Sequence, residues 1–270
     1  MYPVNRCIKL IPVFIILPAL LTLAGLSCSE ESTVLSVYAA AGARPPLDEL
    51  CRQYEEQCSN HVEISYGGGG EVLNQMVLSR SGDIYIAPEQ GFMEIAIEKQ
   101  AIYPDTVRNI AYMIPVIAVT AGNPLNITTL ADLADNDVRV AVTRPETTLL
   151  GRYAPDIFAQ AGLSEDIGKN IITEAARPDS LVTMLVMGQV DAGIIWHFYG
   201  MQYPEDIEII FLEPVQLTGI GEMQIAVSAY TDDKESAWDY INFITSAESK
   251  AVFSRLGYFV DYEEVKQYWH

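Results

Sequence analysis

The sequence predicts an α/β protein with two lobes, each built on a sheet flanked by helices. In the first hundred residues, three apolar strand signals each end in a turn of small or turn-forming residues, and a helical pattern follows. Such alternation favours largely parallel sheets, which bind ligands beyond the carboxyl ends of their strands. Two further strand signals, Pro115–Thr120 and Met223–Ser228, lie where the chain would leave the first lobe and return to it. Lobes joined in this way can close on a ligand.

These two signals also predict the boundaries of the lobes. Residues 29–116 and 222–270 are assigned to the first lobe, and residues 117–221 to the second. We expect the crossing segments near Val116–Thr120 and Gln224–Ser228.

The remaining elements follow from apolar spacing, with a period of two in strands and three to four in helices. In the first lobe they are strand Thr33–Ala40, helix Pro46–Gln57, strands Val62–Tyr66 and Asp83–Ala87, helix Phe92–Lys99 and helices Ser236–Thr245 and Ser249–Leu256. In the second lobe they are helix Leu130–Ala134, strand Val138–Thr143, helix Gly151–Ala161, strand Ile171–Glu174, helix Asp179–Met187 and strands Asp191–Trp196 and Ile207–Phe211.

Residues at the helix ends support several of these assignments. Pro46 opens the first helix, whose Leu47 and Leu50 share one face. Gly162 and Gly188 follow two helices of the second lobe, and glycine is common just past the last helical turn.

The stretch Ser65–Met76 (SYGGGGEVLNQM) carries a signal for a ligand. A strand enters four glycines, Gly67 to Gly70, and a helical pattern leaves them. Such a turn directs free backbone N–H groups and the positive end of the helix dipole at one spot, which suits an anion. Glycine also lets a ligand approach the backbone, because it has no Cβ. A flexible turn without a ligand is the alternative.

Composition and charge exclude one class of partner. The chain has 270 residues, half of them hydrophobic, and a formal net charge of −20. Nucleic-acid binding requires a basic surface, so no nucleic-acid partner is expected. Any anion must be held by local groups, against the field of the whole protein.

Residues 1–28 have the pattern of a lipoprotein-type signal peptide. Arg6 and Lys9 precede the apolar run Leu10–Leu26, and the sequence GLSC, ending at Cys28, resembles a lipoprotein cleavage box. A lipid on Cys28 would anchor the mature protein at the outer face of the cell membrane. An uncleaved transmembrane anchor is the alternative, and in both cases the domain is extracytoplasmic.

Cys51 and Cys58 lie in the mature chain. On an unbroken helix they would be ~10 Å apart, and a disulfide needs Cα atoms within about 7 Å. A disulfide therefore requires the helix to end before Cys58, and two separate buried thiols are the alternative. No clustered Cys and His residues predict a metal site.

Six segments carry a family resemblance. In order they are VYAAAGARPPLDEL, VEISYGGGGEVLNQM, GDIYIAPEQGFMEIA, IPVIAVTAGNPLNITTLADL, ETTLLGRYAPDIFAQAGL and LVTMLVMGQVDAGIIW. Together they resemble the periplasmic molybdate- and tungstate-binding proteins of ABC importers, within the type II solute-binding superfamily. The resemblance implies a Venus-flytrap fold, no catalysis and no cofactor. It also implies a monomer that delivers a small oxyanion to a membrane permease.

The resemblance also implies a ligand pocket. Carried over to this chain, it falls on the first turn, the glycine turn, the third turn and the second lobe. With their neighbours, the predicted ligand-binding residues are Ala41, Gly42, Arg44, Gly68, Gly69, Gly70, Ala87, Leu150, Gly151 and Trp196.

Several pocket positions depart from the family. Related proteins usually carry serines at the positions of Gly42 and Gly69 and a tyrosine at that of Trp196. Pro178 stands where the family uses a backbone N–H donor, which proline lacks. The sequence thus defines the fold better than it defines the ligand.

Arginine is the natural replacement for lost donors, because its planar fork matches oxyanions. Arg44, beside the first turn, is the first candidate, and Arg144 and Arg152 flank a loop of the second lobe. Glu89 and Glu146 are expected to be solvated on loops beside the cleft, although together they could bind a hard cation.

These departures leave other ligands open. An organic carboxylate or a metal ion could replace the oxyanion, or the chain could be a membrane-tethered sensor domain. His197 could reach the cleft, but a structural role is preferred. No nucleophile, base and orienting group occur at motif spacing, so an enzyme is not expected.

Overall fold

A computed structural model of the chain describes residues 33–58, 60–135 and 137–269. The predicted signal peptide, residues 1–28, and the lipidation site Cys28 lie outside the described residues. Within them, no helix is both long enough and apolar enough to cross a membrane.

The strands and helices of the described residues follow in chain order. The strands are β1 Val34–Ala40, β2 His61–Gly67, β3 Ile84–Ala87, β4 Arg108–Met113, β5 Pro115–Thr120, β6 Val140–Thr143, β7 Ile171–Ala175, β8 Ala192–Trp196, β9 Ile207–Phe211 and β10 Gly221–Val227. The helices are α1 Arg44–Gln57, α2 Gly69–Ser79, α3 Gln90–Glu98, α4 Leu149–Gln160, α5 Ser164–Asn170, α6 Pro178–Val186, α7 Tyr199–Gln202, α8 Lys234–Ile244, α9 Ala247–Arg255 and α10 Tyr262–Lys266.

The strands form two mixed five-stranded sheets, one in each lobe. The first has the order β2-β1-β3-β10-β4, in which β1 runs parallel to β2 and β3, and β10 runs antiparallel to β3 and β4. The second has the order β7-β6-β8-β5-β9, with β5 antiparallel to both neighbours. The predicted two-lobed α/β fold is therefore confirmed.

The central strands are buried because helices cover both faces of each sheet. All residues of β3, β6 and β8 are buried, and their sequences are nearly continuous apolar runs. Strands covered on both faces have this composition. Helix α1 packs Leu47, Leu50 and Tyr54 into the core of the first lobe.

The chain changes sheets just before the strands that were predicted as crossing segments. It leaves the first sheet after Met113, the end of β4, and enters the second at Pro115, the start of β5. It returns between Phe211, the end of β9, and Gly221, the start of β10. Val116–Thr120 and Gln224–Val227 lie inside the sheets because these apolar runs pair with strands on both sides.

The two described cysteines are not bridged. Helix α1 ends at Gln57, so the condition for a disulfide is met. Both thiols are nevertheless free. The Sγ atom of Cys51 lies 3.5 Å from the carbonyl oxygen of Val62, and that of Cys58 lies 3.2 Å from the carbonyl oxygen of Tyr54.

Candidate functional site

A cleft lies between the two lobes, at the carboxyl ends of β1, β2, β3 and β8. Its empty volume is about 550 Å³, a value that includes the open mouth. It brings together five of the residues predicted for the site: Ala41, Gly42, Gly68, Gly69 and Trp196. Gly70 lies in an adjoining groove at the mouth of the cleft.

The first turn presents backbone to the cleft. Strand β1 ends at Ala40, and Ala41–Ala43 form a short 3-10 turn that leads directly into α1. The hydroxyl of Tyr258 donates a hydrogen bond to the carbonyl oxygen of Gly42. A Cβ built on Gly42 would lie 3.7 Å from the Phe198 ring, so a small side chain would fit there.

The glycine turn needs a glycine at Gly69 for close packing. None of Gly67 to Gly70 has a positive φ, so backbone conformation does not require them. Instead, a Cβ on Gly69 would lie 2.6 Å from ring atoms of Pro88 and 2.9 Å from the ring of Phe92. The third turn has therefore taken the space that a serine at residue 69 would occupy. Helix α2 begins at Gly69, which lines the cleft, and the first N–H groups of a helix have no partner within the helix. The N–H of Gly68, just before α2, donates to the Glu71 carboxylate at 3.2 Å.

The third turn contributes different residues from the one predicted. Ala87 is fully buried at the end of β3. Its successors Pro88 and Glu89, together with Phe92 of α3, line the cleft. A tight turn after a buried strand brings these side chains, rather than the last strand residue, to the surface of the cleft.

Glu89 is buried, which contradicts the expectation of a solvated side chain. It is only 3% exposed, and its Oε2 atom accepts a hydrogen bond of 2.7 Å from the backbone N–H of Leu149 at the start of α4. Burial raises its pKa to about 7, against the lowering effects of the Leu149 and Leu150 N–H groups and of the Arg152 charge. The Glu89 carboxylate of the first lobe thus accepts a hydrogen bond from the N-terminus of α4, a helix of the second lobe.

Leu150 and Gly151 lie behind the cleft wall. Leu150 is fully buried in the core. A Cβ on Gly151 would lie 2.5 Å from the carbonyl group of Arg144, so glycine is required where α4 packs against this loop. The cleft is lined instead by Thr147 and by Thr148, whose hydroxyl caps α4 by accepting from Gly151 N at 2.9 Å.

Arg177 is a cationic side chain of the cleft lining that the sequence analysis missed. It precedes α6, and with Pro178 and Asp179 it lines the second-lobe wall. Its Nε lies 3.2 Å from an Asp179 carboxylate oxygen, and its side chain is 47% exposed. The sequence did contain a signal for Arg177. The resemblance implied Pro178 as a pocket position, and Arg177 is the residue directly before it, at the N-cap position of α6.

The arginines that were predicted as replacements do not line the cleft. The guanidinium carbon of Arg44 lies 4.3 Å from the centre of the Tyr66 ring. Arg152 donates from Nε to the carbonyl oxygen of Pro145 at 3.2 Å. Arg44, Arg144 and Arg152 are not among the lining residues of the cleft, whereas Arg177 is.

Aromatic and thioether side chains form the rest of the wall. Trp196, at the end of β8, packs edge-on against Tyr153 with ring centres 6.4 Å apart. The other members of this wall are Phe92, Met113, Phe198, Tyr199 and Met223. In the part of the chain that the structure describes, no group of three or more His, Cys, Asp or Glu residues is placed to hold a metal ion. The cleft lining therefore combines helix N-termini, one arginine and the carboxylates of Glu89 and Asp179 with aromatic and thioether side chains.

Comparisons with known proteins agree with this architecture. Residues 35–259 match the family described as bacterial extracellular solute-binding protein. The molybdate-binding protein ModA of Mycobacterium tuberculosis is 21% identical over 231 residues, which cover 85% of this chain and 86% of that protein.

Two solved structures show the same fold. The periplasmic molybdate-binding protein of Azotobacter vinelandii has a TM-score of 0.73 at 19% identity, covering 84% of this chain and 99% of that chain. The sulfate-binding protein SubI of Mycobacterium tuberculosis has a TM-score of 0.74 at 15% identity, covering 87% and 90%.

The predicted relationship to the molybdate-binding proteins is confirmed by these matches. Because the family match covers most of the chain, it also decides the class of activity, which is binding and not catalysis. The chain belongs to the bacterial extracellular solute-binding protein family.

Proposed function

We propose that this protein is the binding component of an ABC importer and captures a small oxyanion, molybdate or tungstate, in the cleft between its lobes. The observation that carries the proposal is the convergence of the α2 N-terminus, the first turn and Arg177 on one cleft. Helix N-termini bind anions through free N–H groups and the helix dipole. Arginine adds a fixed positive charge and a forked set of donors.

The relatives support an oxyanion as the class of ligand. Two of the similar proteins are named for molybdate and one for sulfate, and all three cover most of this chain.

The rest of the proposal concerns partners. The loaded protein would be a monomer that docks on a membrane permease, and a lipid on Cys28 would hold it at the outer face of the membrane.

A second candidate ligand is an organic carboxylate. The aromatic and methionine side chains of the cleft wall, among them Phe92, Trp196 and Phe198, can cover an apolar ligand body. Such a ligand would place its carboxylate at Arg177 and its carbon skeleton against these rings.

Isothermal titration calorimetry with molybdate, tungstate, sulfate and citrate tests the proposal. We expect molybdate and tungstate to bind more tightly than sulfate and citrate. Arg177→Ala should weaken binding roughly 10- to 150-fold, the equivalent of a charge-assisted hydrogen bond of about 1.5–3 kcal/mol.

The matched control is Arg52→Ala, which removes an exposed arginine of α1 that does not line the cleft. It should bind as the parent does. Tighter binding of citrate than of molybdate would favour the organic ligand. Absence of binding by all four anions would contradict both candidates.

A further inference from the structure

Glu89 is the starting point, because it is a first-lobe carboxylate built into the wall of the cleft. It follows β3 and lines the cleft together with Pro88. Its Oε2 atom accepts a hydrogen bond of 2.7 Å from Leu149 N, which belongs to α4 of the second lobe. The side chain is only 3% exposed, so water screens its charge poorly.

No cationic side chain neutralises this carboxylate. Among residues 33–58, 60–135 and 137–269, no salt bridge reaches Glu89. Arg152 on α4 influences it only at longer range, and its guanidinium donates to Pro145 O. The other ionisable groups around it are the hydroxyls of Tyr85 on β3 and Tyr153 on α4.

The opposite wall adds no net charge. Arg177 and Asp179 of α6 line the same cleft and form an ion pair with each other. The ion pair joins these two side chains at 3.2 Å, and neither of them forms a salt bridge with Glu89.

The cleft also offers few free hydroxyl donors. The hydroxyl of Thr147 donates to Ala176 O at 2.9 Å, and that of Thr148 lies 2.8 Å from the hydroxyl of Thr143. A neutral carboxyl group, by contrast, carries an O–H donor in addition to an acceptor oxygen. Protonation of Glu89 would therefore remove a repulsive charge and supply a donor in one step.

We propose that the cleft takes up one proton at Glu89 when it captures a divalent oxyanion. This inference rests on the proposed function. The proton comes from solvent and adds to a carboxylate oxygen of Glu89, and no covalent bond to the ligand forms. Two negative charges placed beside a buried carboxylate favour its neutral form, since a like charge nearby raises the pKa of a carboxyl group.

The pH dependence follows from the pKa of about 7 in the free cleft. Below that value Glu89 is already neutral, so binding needs no further proton. Above it, each binding event must also protonate the carboxylate, and the affinity falls by up to tenfold per pH unit. For one fully coupled proton, the affinity should fall about tenfold between about pH 6 and about pH 8.

Calorimetric titration with molybdate over this range tests the proposal. Repeating the titration in two buffers of different ionisation enthalpy counts the protons taken up, and we expect a value that rises towards one near pH 8. Glu89→Gln keeps an oxygen that can accept from Leu149 N but cannot titrate. It should bind molybdate with little pH dependence and about tenfold more tightly than the parent near pH 8.

Glu94→Gln is the matched control, because Glu94 is an exposed carboxylate of α3 outside the cleft. It should retain the pH dependence of the parent. The proton count of the parent alone tests the proposal if Glu89→Gln does not fold.

Three outcomes would overturn the inference. Molybdate binding by the parent without proton uptake refutes it and leaves the proposed function intact. Loss of binding in a folded Glu89→Gln at every pH would show that the charged carboxylate itself is needed. Failure of both proteins to bind any of molybdate, tungstate and sulfate refutes the inference together with the proposed function.

Discussion

His197 and Ile114 form a reciprocal pair of hydrogen bonds where the chain passes between the lobes. The N–H of Ile114 donates to Nδ1 of His197 at 3.2 Å, and the N–H of His197 donates to the carbonyl oxygen of Ile114 at 3.1 Å. Ile114 is the residue between β4 and β5. The imidazole also stacks on Phe259 with ring centres 4.1 Å apart. His197 thus fixes a crossing segment, which is the structural role preferred from the sequence.

This pairing predicts a loss of stability in acid. Burial lowers the pKa of His197 to about 3, so the folded state excludes a proton that the unfolded state binds below about pH 6.5. The unfolding free energy should fall as pH decreases through this window, by on the order of 1 kcal/mol per pH unit. Urea unfolding of the parent and of His197→Asn between about pH 6 and about pH 4 measures the effect, and the variant should show the shallower slope.

Glu89 acts in the opposite direction over part of this range. Its folded-state pKa is raised, so its contribution to stability is present in acid and is lost as pH rises towards 7. Because both proteins contain Glu89, the difference between their slopes isolates His197. Equal slopes would show that His197 is already protonated in the folded protein.

Arg44 should contribute to stability and not to ligand binding. Its guanidinium lies over the Tyr66 ring, away from the cleft lining, although the sequence made it the first candidate to replace the missing serine hydroxyls. Arg44→Ala should cost about 0.5–1 kcal/mol of unfolding free energy, the usual value of an exposed cation–π contact. Molybdate affinity should stay within about twofold of the parent, because no charge-assisted hydrogen bond is removed.

Urea unfolding and calorimetric titration of the same preparation separate the two effects. A tenfold loss of affinity without loss of stability would place the Arg44 guanidinium on the ligand.

Gly69→Ser should destabilise the protein, although the family resemblance implied a serine at this position. Its Cβ would lie 2.6 Å from the Pro88 ring, and overpacking of this kind costs about 1–3 kcal/mol. Thermal and urea unfolding measure the loss. Replacing the proline as well, in Gly69→Ser/Pro88→Ala, should restore part of the stability because it removes the obstructing ring.

Gly42→Ser is the matched control at the other serine position. The nearest atoms to its Cβ are the Phe198 ring at 3.7 Å and the Tyr199 hydroxyl at 3.9 Å, so the side chain has room. Its stability should remain within about 0.5 kcal/mol of the parent. Equal destabilisation of Gly42→Ser and Gly69→Ser would contradict the steric explanation.

The sequence by itself determined the two lobes and most of their elements. The run Ile84–Ala87 is apolar throughout, and Gly162 and Gly188 end helical segments with positive φ. Such signals are local, since a chain segment carries its own periodicity and its own terminating residues. The family could be recognised for the same reason, because the order and spacing of these segments are written in the chain.

Only the tertiary structure decided which side chains form the cleft. Glu89 reads as a polar residue of a surface turn, yet α4 of the other lobe covers it and offers it an N–H group. The family resemblance implied Leu150 and Gly151 as pocket residues, yet both lie behind the cleft wall, whereas Arg177 lines the cleft. Burial, charge and donor direction at an interlobe cleft come from residues far apart in the chain, and no local pattern specifies how two lobes meet.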